Sequence, residues 1–262
     1  MFRRMGMQTV TSKDGTSIAY ERTGRGPALV LVGGAFMTRQ SFAPLAAALA
    51  PAFDVVAYDR RGRGDSTDTR PYAVDRELED LSAVLDAVGG SFVYGMSSGA
   101  ALVLHAAASD LPIQRVSGME PPYRVPDAPP VDESYGPILD SLLAEGRNAD
   151  AVAHFMTRAV GQPAEVVDQM KATPMWAGLV AIAPTLAYDN AVMGDGAVPA
   201  ALSHITVPAL ILSSTGSSPW LQAASAAAAT ALPHGQHIAR DGGFHDLPVE
   251  VIAAVLTEFF KG

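Results

Sequence analysis

The amino-acid sequence predicts an α/β protein with a mostly parallel central sheet and helices on both faces of that sheet. Two observations carry this prediction. Short, continuous apolar runs, such as residues 28–32, are typical of strands buried on both faces of a parallel sheet. These runs alternate with segments in which apolar residues recur at helical spacing, such as residues 75–87. Strands and helices that alternate in this way form β-α-β crossovers, which produce a parallel sheet.

Length and composition limit the classes of protein. The chain has 262 residues, enough for one large α/β domain, and no change in composition indicates a second one. Hydrophobic residues make up 48% and charged residues 17%, which excludes a disordered chain. The formal net charge of −9 argues against a nucleic-acid or anionic-membrane partner. Because cysteine is absent, the chemistry is left to hydroxyls, histidines and carboxylates.

The start of the chain carries no targeting pattern. Residues 1–6 contain two arginines but no apolar stretch follows them, so a secretory signal is not expected. No run in the sequence is long and apolar enough to span a bilayer. We therefore expect a cytoplasmic protein without a membrane partner, and a homodimer is left open.

The first strands lead to a glycine-rich turn. Residues 19–24 and 28–32 predict two strands, and the second strand ends at Gly33, Gly34 and Ala35. The two glycines allow a sharp turn that presents the backbone N–H of Ala35 toward the carboxyl edge of the sheet. The next predicted elements are a helix at 41–49, a strand at 53–58 and a helix at 75–87.

Three arginines lie within residues 59–66, directly after a predicted strand. A basic run of this kind can bind nucleic acid, but Asp59 and Asp65 bracket this one and the whole chain is acidic. We interpret the run as a tight loop at the carboxyl end of the strand and expect no nucleic-acid partner.

Residues 95–99, with the sequence GMSSG, join a predicted strand at 92–94 to a predicted helix at 100–108. Glycines flank Ser97 because a serine on so tight a bend has a strained backbone, and neighbouring side chains would collide there. The bend would push the Ser97 hydroxyl out of the sheet and aim the backbone N–H of Ser98 at the group it attacks. A plain Gly/Ser loop is the alternative.

The second half of the chain interrupts the sheet pattern. A strand is predicted at 113–119, and two prolines stop it after Glu120, at the edge where active-site groups of open α/β sheets gather. From about residue 125 to 200, prolines and short amphipathic segments form an excursion too long for a loop. We expect a helical cap at 125–200, inserted into a single domain whose core is 1–124 and 201–262; helices packed on the sheet edge are the alternative. The remaining predicted elements are a strand at 209–212, a helix at 220–232, a strand at 236–239 and a helix at 249–260.

These features, in this order, resemble the α/β-hydrolase superfamily. The features that carry the resemblance are the glycine-rich strand end at 33–34, the loop at 59–66, the motif at 95–99 and a histidine in a loop after the last strand, His245. The resemblance covers nearly the whole chain outside the cap and implies the α/β-hydrolase fold. It implies Ser97 as the nucleophile, His245 as general base and acid, and the amides of Ala35 and Ser98 as the oxyanion hole. Gly33 stands where the superfamily usually has histidine, which removes a side chain but leaves the backbone donor.

Five other histidines compete with His245 for the role of base: His105, His154, His204, His234 and His237. His245 is preferred mainly on the resemblance. His105 fits a packed helix residue. His234 and His237 form a loose metal pair, but no third ligand stands at a suitable spacing, so zinc is not expected.

The triad acid is where the sequence departs from the superfamily pattern. In most of the superfamily it follows the strand placed here at 209–212, yet the loop at 213–218 holds no carboxylate. A known variation places the acid after the preceding strand, where Glu120 stands. We predict that Glu120 orients His245 and stabilises its imidazolium. Asp246, Asp241 and a Ser-His dyad without an acid are the alternatives.

The sequence thus predicts a serine hydrolase without cofactor or metal that cleaves an ester, lactone or thioester of an apolar small molecule. Met96 and Trp176 are expected to make the pocket apolar, although both fit a packed core equally well. An acyltransferase or cyclase that uses the same triad is one alternative. A non-catalytic ligand-binding module of the same fold is the other, because a receptor could tolerate a degenerate triad.

Overall fold

An eight-stranded sheet runs through the centre of the computed structural model, which describes residues 6–109, 111–126, 128–129 and 132–262. The strands are β1 (Gln8–Thr11), β2 (Ser17–Gly24), β3 (Ala28–Val32), β4 (Asp54–Tyr58), β5 (Phe92–Met96), β6 (Arg115–Met119), β7 (Ala209–Ser214) and β8 (Gly235–Arg240). Their order across the sheet is β1-β2-β4-β3-β5-β6-β7-β8. The pairs β1–β2 and β2–β4 are antiparallel and the other neighbours are parallel. The predicted α/β fold with a mostly parallel sheet is confirmed.

Helices cover both faces of this sheet. They are α1 (Ala43–Leu49), α2 (Val74–Val88), α3 (Ser98–Ala107), α4 (Tyr135–Ala144), α5 (Asn148–Arg158), α6 (Ala164–Lys171), α7 (Met175–Ile182), α8 (Leu186–Met193), α9 (Pro219–Ala231) and α10 (Val249–Lys261). Within the described ranges, no helix has the length and apolar character needed to cross a bilayer. Residues 1–5, where no secretory signal is expected, lie outside the described residues.

The continuous apolar runs follow from burial on both faces of the sheet. Side chains alternate between the faces of a strand. Val30 and Val32 of β3 pack in a cluster with α2, α3 and α9, whereas Leu29 and Leu31 pack in a second cluster with α1 and α10. Since each face has its own layer of helices, no position in β3 is left for a polar residue.

The prediction omits β1. This strand lies at the edge of the sheet, and its residues alternate between half-buried and exposed. Its polar composition, with Gln8 and Thr9, lacks the apolar run that marks the central strands.

The helices α4 to α8 occupy the excursion between β6 and β7, in which residues 127, 130 and 131 lie outside the described part. Apolar side chains of α4, α5 and α8 form a third cluster, in which Leu139, Val152 and Leu186 are fully buried, and side chains of α7 pack against it. Ala35 and Phe36, from the loop after β3, pack against this cluster. The excursion therefore contacts the loops at the carboxyl edge of the sheet. Its role as a cap and the division of the chain into one core and one insertion stay predictions.

Candidate active site

Ser97 lies on a sharp turn between β5 and α3. Its backbone φ of 58° and ψ of −125° belong to a region that residues other than glycine rarely adopt. A side chain at Gly95 would collide with the carbonyl of Gly99, and one at Gly99 would collide with the carbonyl of Val32. The chain can turn this tightly only because both positions are glycine.

Substitution of Gly99 tests this crowding. We expect Gly99→Ala to lower the free energy of unfolding by about 1–3 kcal/mol, because the added methyl group must displace the end of β3, and to lower catalytic activity with it. Gly178→Ala is the matched control, since Gly178 is also helical and has open space around it. This control should stabilise the protein by up to about 1 kcal/mol. Urea denaturation measures both changes, and an equally stable Gly99→Ala protein would contradict the proposed crowding.

Backbone strain is concentrated at the predicted site. In the described residues, the non-glycine residues with positive φ are Phe36, Ser97, Glu120 and His245. Three of them are predicted site residues, and Phe36 follows the predicted oxyanion donor Ala35. Such conformations cost on the order of 1–3 kcal/mol each and persist only where the surrounding structure enforces them. Their concentration at one edge of the sheet indicates a functional site.

The Glu120 carboxylate contacts His245 directly. The residue follows β6 and is completely buried, and its Oε2 lies 2.6 Å from Nδ1 of His245. The end of β7 and the loop after it supply two further hydrogen bonds: the backbone N–H of Ser214 donates to Oε1 at 2.7 Å, and Ser217 Oγ donates to Oε2 at 3.0 Å. Residues 213–218, which contain no carboxylate, thus bind the carboxylate of Glu120, which follows the neighbouring strand β6.

Ser217 also binds the loop that carries His245, which is called the histidine loop below. Its Oγ accepts a hydrogen bond of 2.8 Å from the backbone N–H of His245 while it donates to Glu120. One hydroxyl therefore joins the acid to the backbone of the base. Sequence reasoning missed this role, because a serine-rich loop gives no signal of what its hydroxyls will face.

The alternative acids lie elsewhere. Asp241 is exposed and accepts a hydrogen bond of 2.9 Å from the Thr215 hydroxyl. Asp246 is also exposed. The geometry thus favours Glu120 over both as the partner of His245.

Two of the other histidines form side-chain contacts elsewhere in the structure. His237 Nε2 lies 2.8 Å from Ser213 Oγ, and His154 stacks on Tyr135. Burial lowers the pKa of His105. Within the described ranges, no three His, Asp or Glu side chains come close enough together to hold a metal ion.

The two predicted oxyanion donors belong to the residue after Ser97 and to the turn after β3. Ser98 is the first residue of α3, so its backbone N–H has no acceptor within that helix. Ala35 lies in a turn that is closed by a 3.2 Å hydrogen bond from Met37 N to Gly34 O, which does not use the N–H of Ala35. This turn lies close to the turn at Ser97, because a Cβ atom on Gly34 would lie 2.8 Å from Cβ of Ser97.

Two arginines from the loop at 59–66 bind the backbone carbonyls of this turn. Arg60 and Arg63 are buried, and they donate to the carbonyl oxygens of Gly33, at 3.2 Å, and Gly34, at 2.5 Å. Sequence reasoning identified the loop but missed these contacts. Because the guanidinium groups are buried and bonded within the protein, they form no basic surface.

Asp189 of α8 forms an ion pair with each of these two arginines. Its Oδ1 lies 2.7 Å from Nη1 of Arg60 and its Oδ2 lies 2.8 Å from Nη2 of Arg63. Ser98 Oγ donates a third hydrogen bond to Oδ1, at 2.7 Å. Burial opposes ionisation of Asp189, but the charges of Arg63 and Arg60 and the bond from Ser98 outweigh it and hold the pKa below its usual range.

Comparison with known proteins gives a consistent set of similarities. A sequence model described as the alpha/beta hydrolase family matches residues 29–255. The chain is similar to an alpha/beta hydrolase from Sphaerobacter thermophilus, with 52% identity and a TM-score of 0.92 over 97% of this chain and 100% of that one.

Two further solved structures share the fold at lower identity. An enol-lactonase from Burkholderia xenovorans is 22% identical, with a TM-score of 0.72 over 97% of this chain and 100% of that one. A thermophilic esterase from Thermogutta terrifontis is 21% identical, with a TM-score of 0.70 over 98% of each chain.

Proposed function

Because the chain belongs to the alpha/beta hydrolase family, we propose that it is a serine hydrolase that cleaves an ester, lactone or thioester of an apolar small molecule. The observation that carries the proposal is the hydrogen bond of 2.6 Å between buried Glu120 and Nδ1 of His245. A carboxylate on Nδ1 keeps a proton there, so Nε2 is free to accept one from a nucleophile. We assign Ser97, on the strained turn between β5 and α3, as the nucleophile that this histidine deprotonates.

Catalysis begins with attack of Ser97 Oγ on the substrate carbonyl carbon. His245 Nε2 takes the hydroxyl proton, and Glu120 stabilises the imidazolium that results. The carbonyl π electrons move onto oxygen, and the resulting oxyanion accepts hydrogen bonds from the amides of Ala35 and Ser98. Collapse of the tetrahedral intermediate expels the alcohol, enol or thiol, which receives the proton from His245 and leaves an acyl group on Ser97.

Water completes the cycle. His245 removes a proton from a water molecule as its oxygen attacks the acyl carbon, and a second tetrahedral intermediate forms in the same oxyanion hole. When this intermediate collapses, Ser97 leaves and takes the proton back from His245. The carboxylic acid is released, and the enzyme returns to its starting state.

The surroundings of the site favour an apolar acyl or leaving group. Phe36, beside the oxyanion turn, packs edge to face on Phe155 of α5, with ring centroids 5.3 Å apart. Trp176 packs against the same apolar cluster. We propose that α4 to α8 form a cap whose apolar inner side binds the substrate. Two proteins of the same fold are named an enol-lactonase and an esterase, which supports carboxylic esters and lactones as the substrate class.

Active-site labelling and a substrate panel test the proposal. The purified protein should react with a fluorophosphonate probe at one residue, Ser97, and should hydrolyse p-nitrophenyl acyl esters. In water enriched in oxygen-18, the released acid should carry the heavy isotope. Acyl transfer to an added alcohol without isotope uptake would instead support an acyltransferase. Absence of both labelling and turnover would favour a non-catalytic binding module and contradict the proposal.

A further inference from the structure

Buried Arg63 acts on the peptide group that carries a proposed oxyanion donor. The carbonyl of Gly34 and the N–H of Ala35 belong to one planar peptide, and in a trans peptide they point in opposite directions. The bond of 2.5 Å from Arg63 to Gly34 O, together with the longer bond from Met37 N, therefore fixes the direction in which the N–H of Ala35 points. It also polarises the peptide, which strengthens that N–H as a donor.

The second proposed donor is held by the same charge cluster. Ser98 supplies its backbone N–H to the oxyanion, while its side chain hydroxyl donates to Asp189. Asp189 also binds Arg63. One carboxylate on α8, only 3% exposed, thus fixes the residues on both sides of the oxyanion hole.

We propose that Arg63 and Asp189 are positioning residues that orient the oxyanion hole, and that they couple helix α8 to it. The inference rests on the proposed hydrolase function. Gly33 has no side chain that could brace the turn, and the guanidinium groups of the neighbouring loop brace it through the carbonyls of Gly33 and Gly34. Neither Arg63 nor Asp189 exchanges a proton with the substrate.

Arg63→Met tests the inference. Loss of the bond from Arg63 leaves the 3.2 Å bond from Met37 N to Gly34 O, so the peptide is less firmly oriented and less polarised. We therefore expect kcat for a p-nitrophenyl ester to fall about 10- to 100-fold, less than the effect of deleting a donor, while KM changes little. The affinity for an alkyl boronic acid should fall by a similar factor, because its tetrahedral adduct with Ser97 places an oxygen in the oxyanion hole.

Arg61→Met is the matched control. Arg61 lies in the same loop and is equally buried, but its guanidinium binds Asp80 and Asp14 and does not contact the turn. Its loss should lower the melting temperature and leave kcat per folded molecule unchanged. If both variants have the same kcat per folded molecule, the inference is overturned.

Arg63→Lys covers the case in which Arg63→Met does not fold. Lysine restores a positive charge beside Asp189 but lacks the planar fork that binds two acceptors at once. Stability should therefore recover while kcat stays low. Recovery of kcat in parallel with stability would show a structural role only. Labelling and turnover by the unmodified protein test the proposed function separately, and their absence would overturn both proposals.

Discussion

Replacement of Ser97 by alanine is expected to lower kcat for an activated ester by at least about 10⁴-fold and to abolish labelling by a fluorophosphonate. The reason is chemical: without Oγ no acyl-enzyme can form, and His245 has no nucleophile to deprotonate. The residual rate would come from direct attack of water on a substrate whose carbonyl oxygen lies in the oxyanion hole. Stopped-time assays with p-nitrophenyl esters and mass spectrometry of the labelled protein measure the two effects.

Ser109→Ala is the control for this experiment. Ser109 is an exposed residue just beyond the other end of α3, where its hydroxyl donates to the carbonyl of His105. Labelling and turnover should both survive this change. If a fluorophosphonate still modifies Ser97→Ala at one site, the nucleophile has to be sought elsewhere.

Glu120→Gln has the second largest expected effect, a loss of about 10³- to 10⁴-fold in kcat. The backbone N–H of Ser214 can only donate, so the amide oxygen of the new side chain must face it. The NH₂ group then faces Nδ1 of His245. Because that nitrogen must accept a hydrogen bond, the imidazole proton moves to Nε2. In this tautomer the histidine cannot take the proton of Ser97.

Two carboxamide controls separate this effect from a general change in charge. Asp241→Asn and Asp246→Asn each remove one exposed negative charge near the histidine loop, and kcat should stay close to that of the unmodified protein. An unchanged rate in Glu120→Gln would leave a Ser-His dyad as the catalytic unit. A rate loss in Asp246→Asn as large as in Glu120→Gln would assign the acid to Asp246.

The sequence predicted those elements whose conformation is determined by residues close together in the chain. The continuous run in β3 reports burial on two faces, and glycines on both sides of Ser97 report a tight turn, so both could be identified from a few neighbouring residues. Glu120 was selected because the loop at 213–218 holds no carboxylate, and the structure brings it to His245.

The sequence did not predict which charged residues, far apart in the chain, form buried ion pairs. Arg63 and Asp189 meet although 126 positions separate them. No periodicity or spacing in the sequence relates an arginine in the loop after β4 to an aspartate in α8. The basic run could therefore be interpreted as a tight loop, but the burial of its three arginines could not be predicted. The base was placed at His245 through family resemblance, since the residues alone left several histidines open.

The excursion of α4 to α8 begins and ends at residues that contact each other: the backbone N–H of Arg124, before α4, donates to the carbonyl of Gly196, after α8, at 2.7 Å. Its two ends are therefore neighbours, and a longer or shorter segment can close there at little cost, since each doubling of a flexible loop adds only about 0.6 kcal/mol. Such an architecture is modular: selectivity can evolve by exchange of the inserted helices while the strand order stays intact. Asp189 limits this freedom, because a replacement segment has to bring its own carboxylate to Arg60 and Arg63.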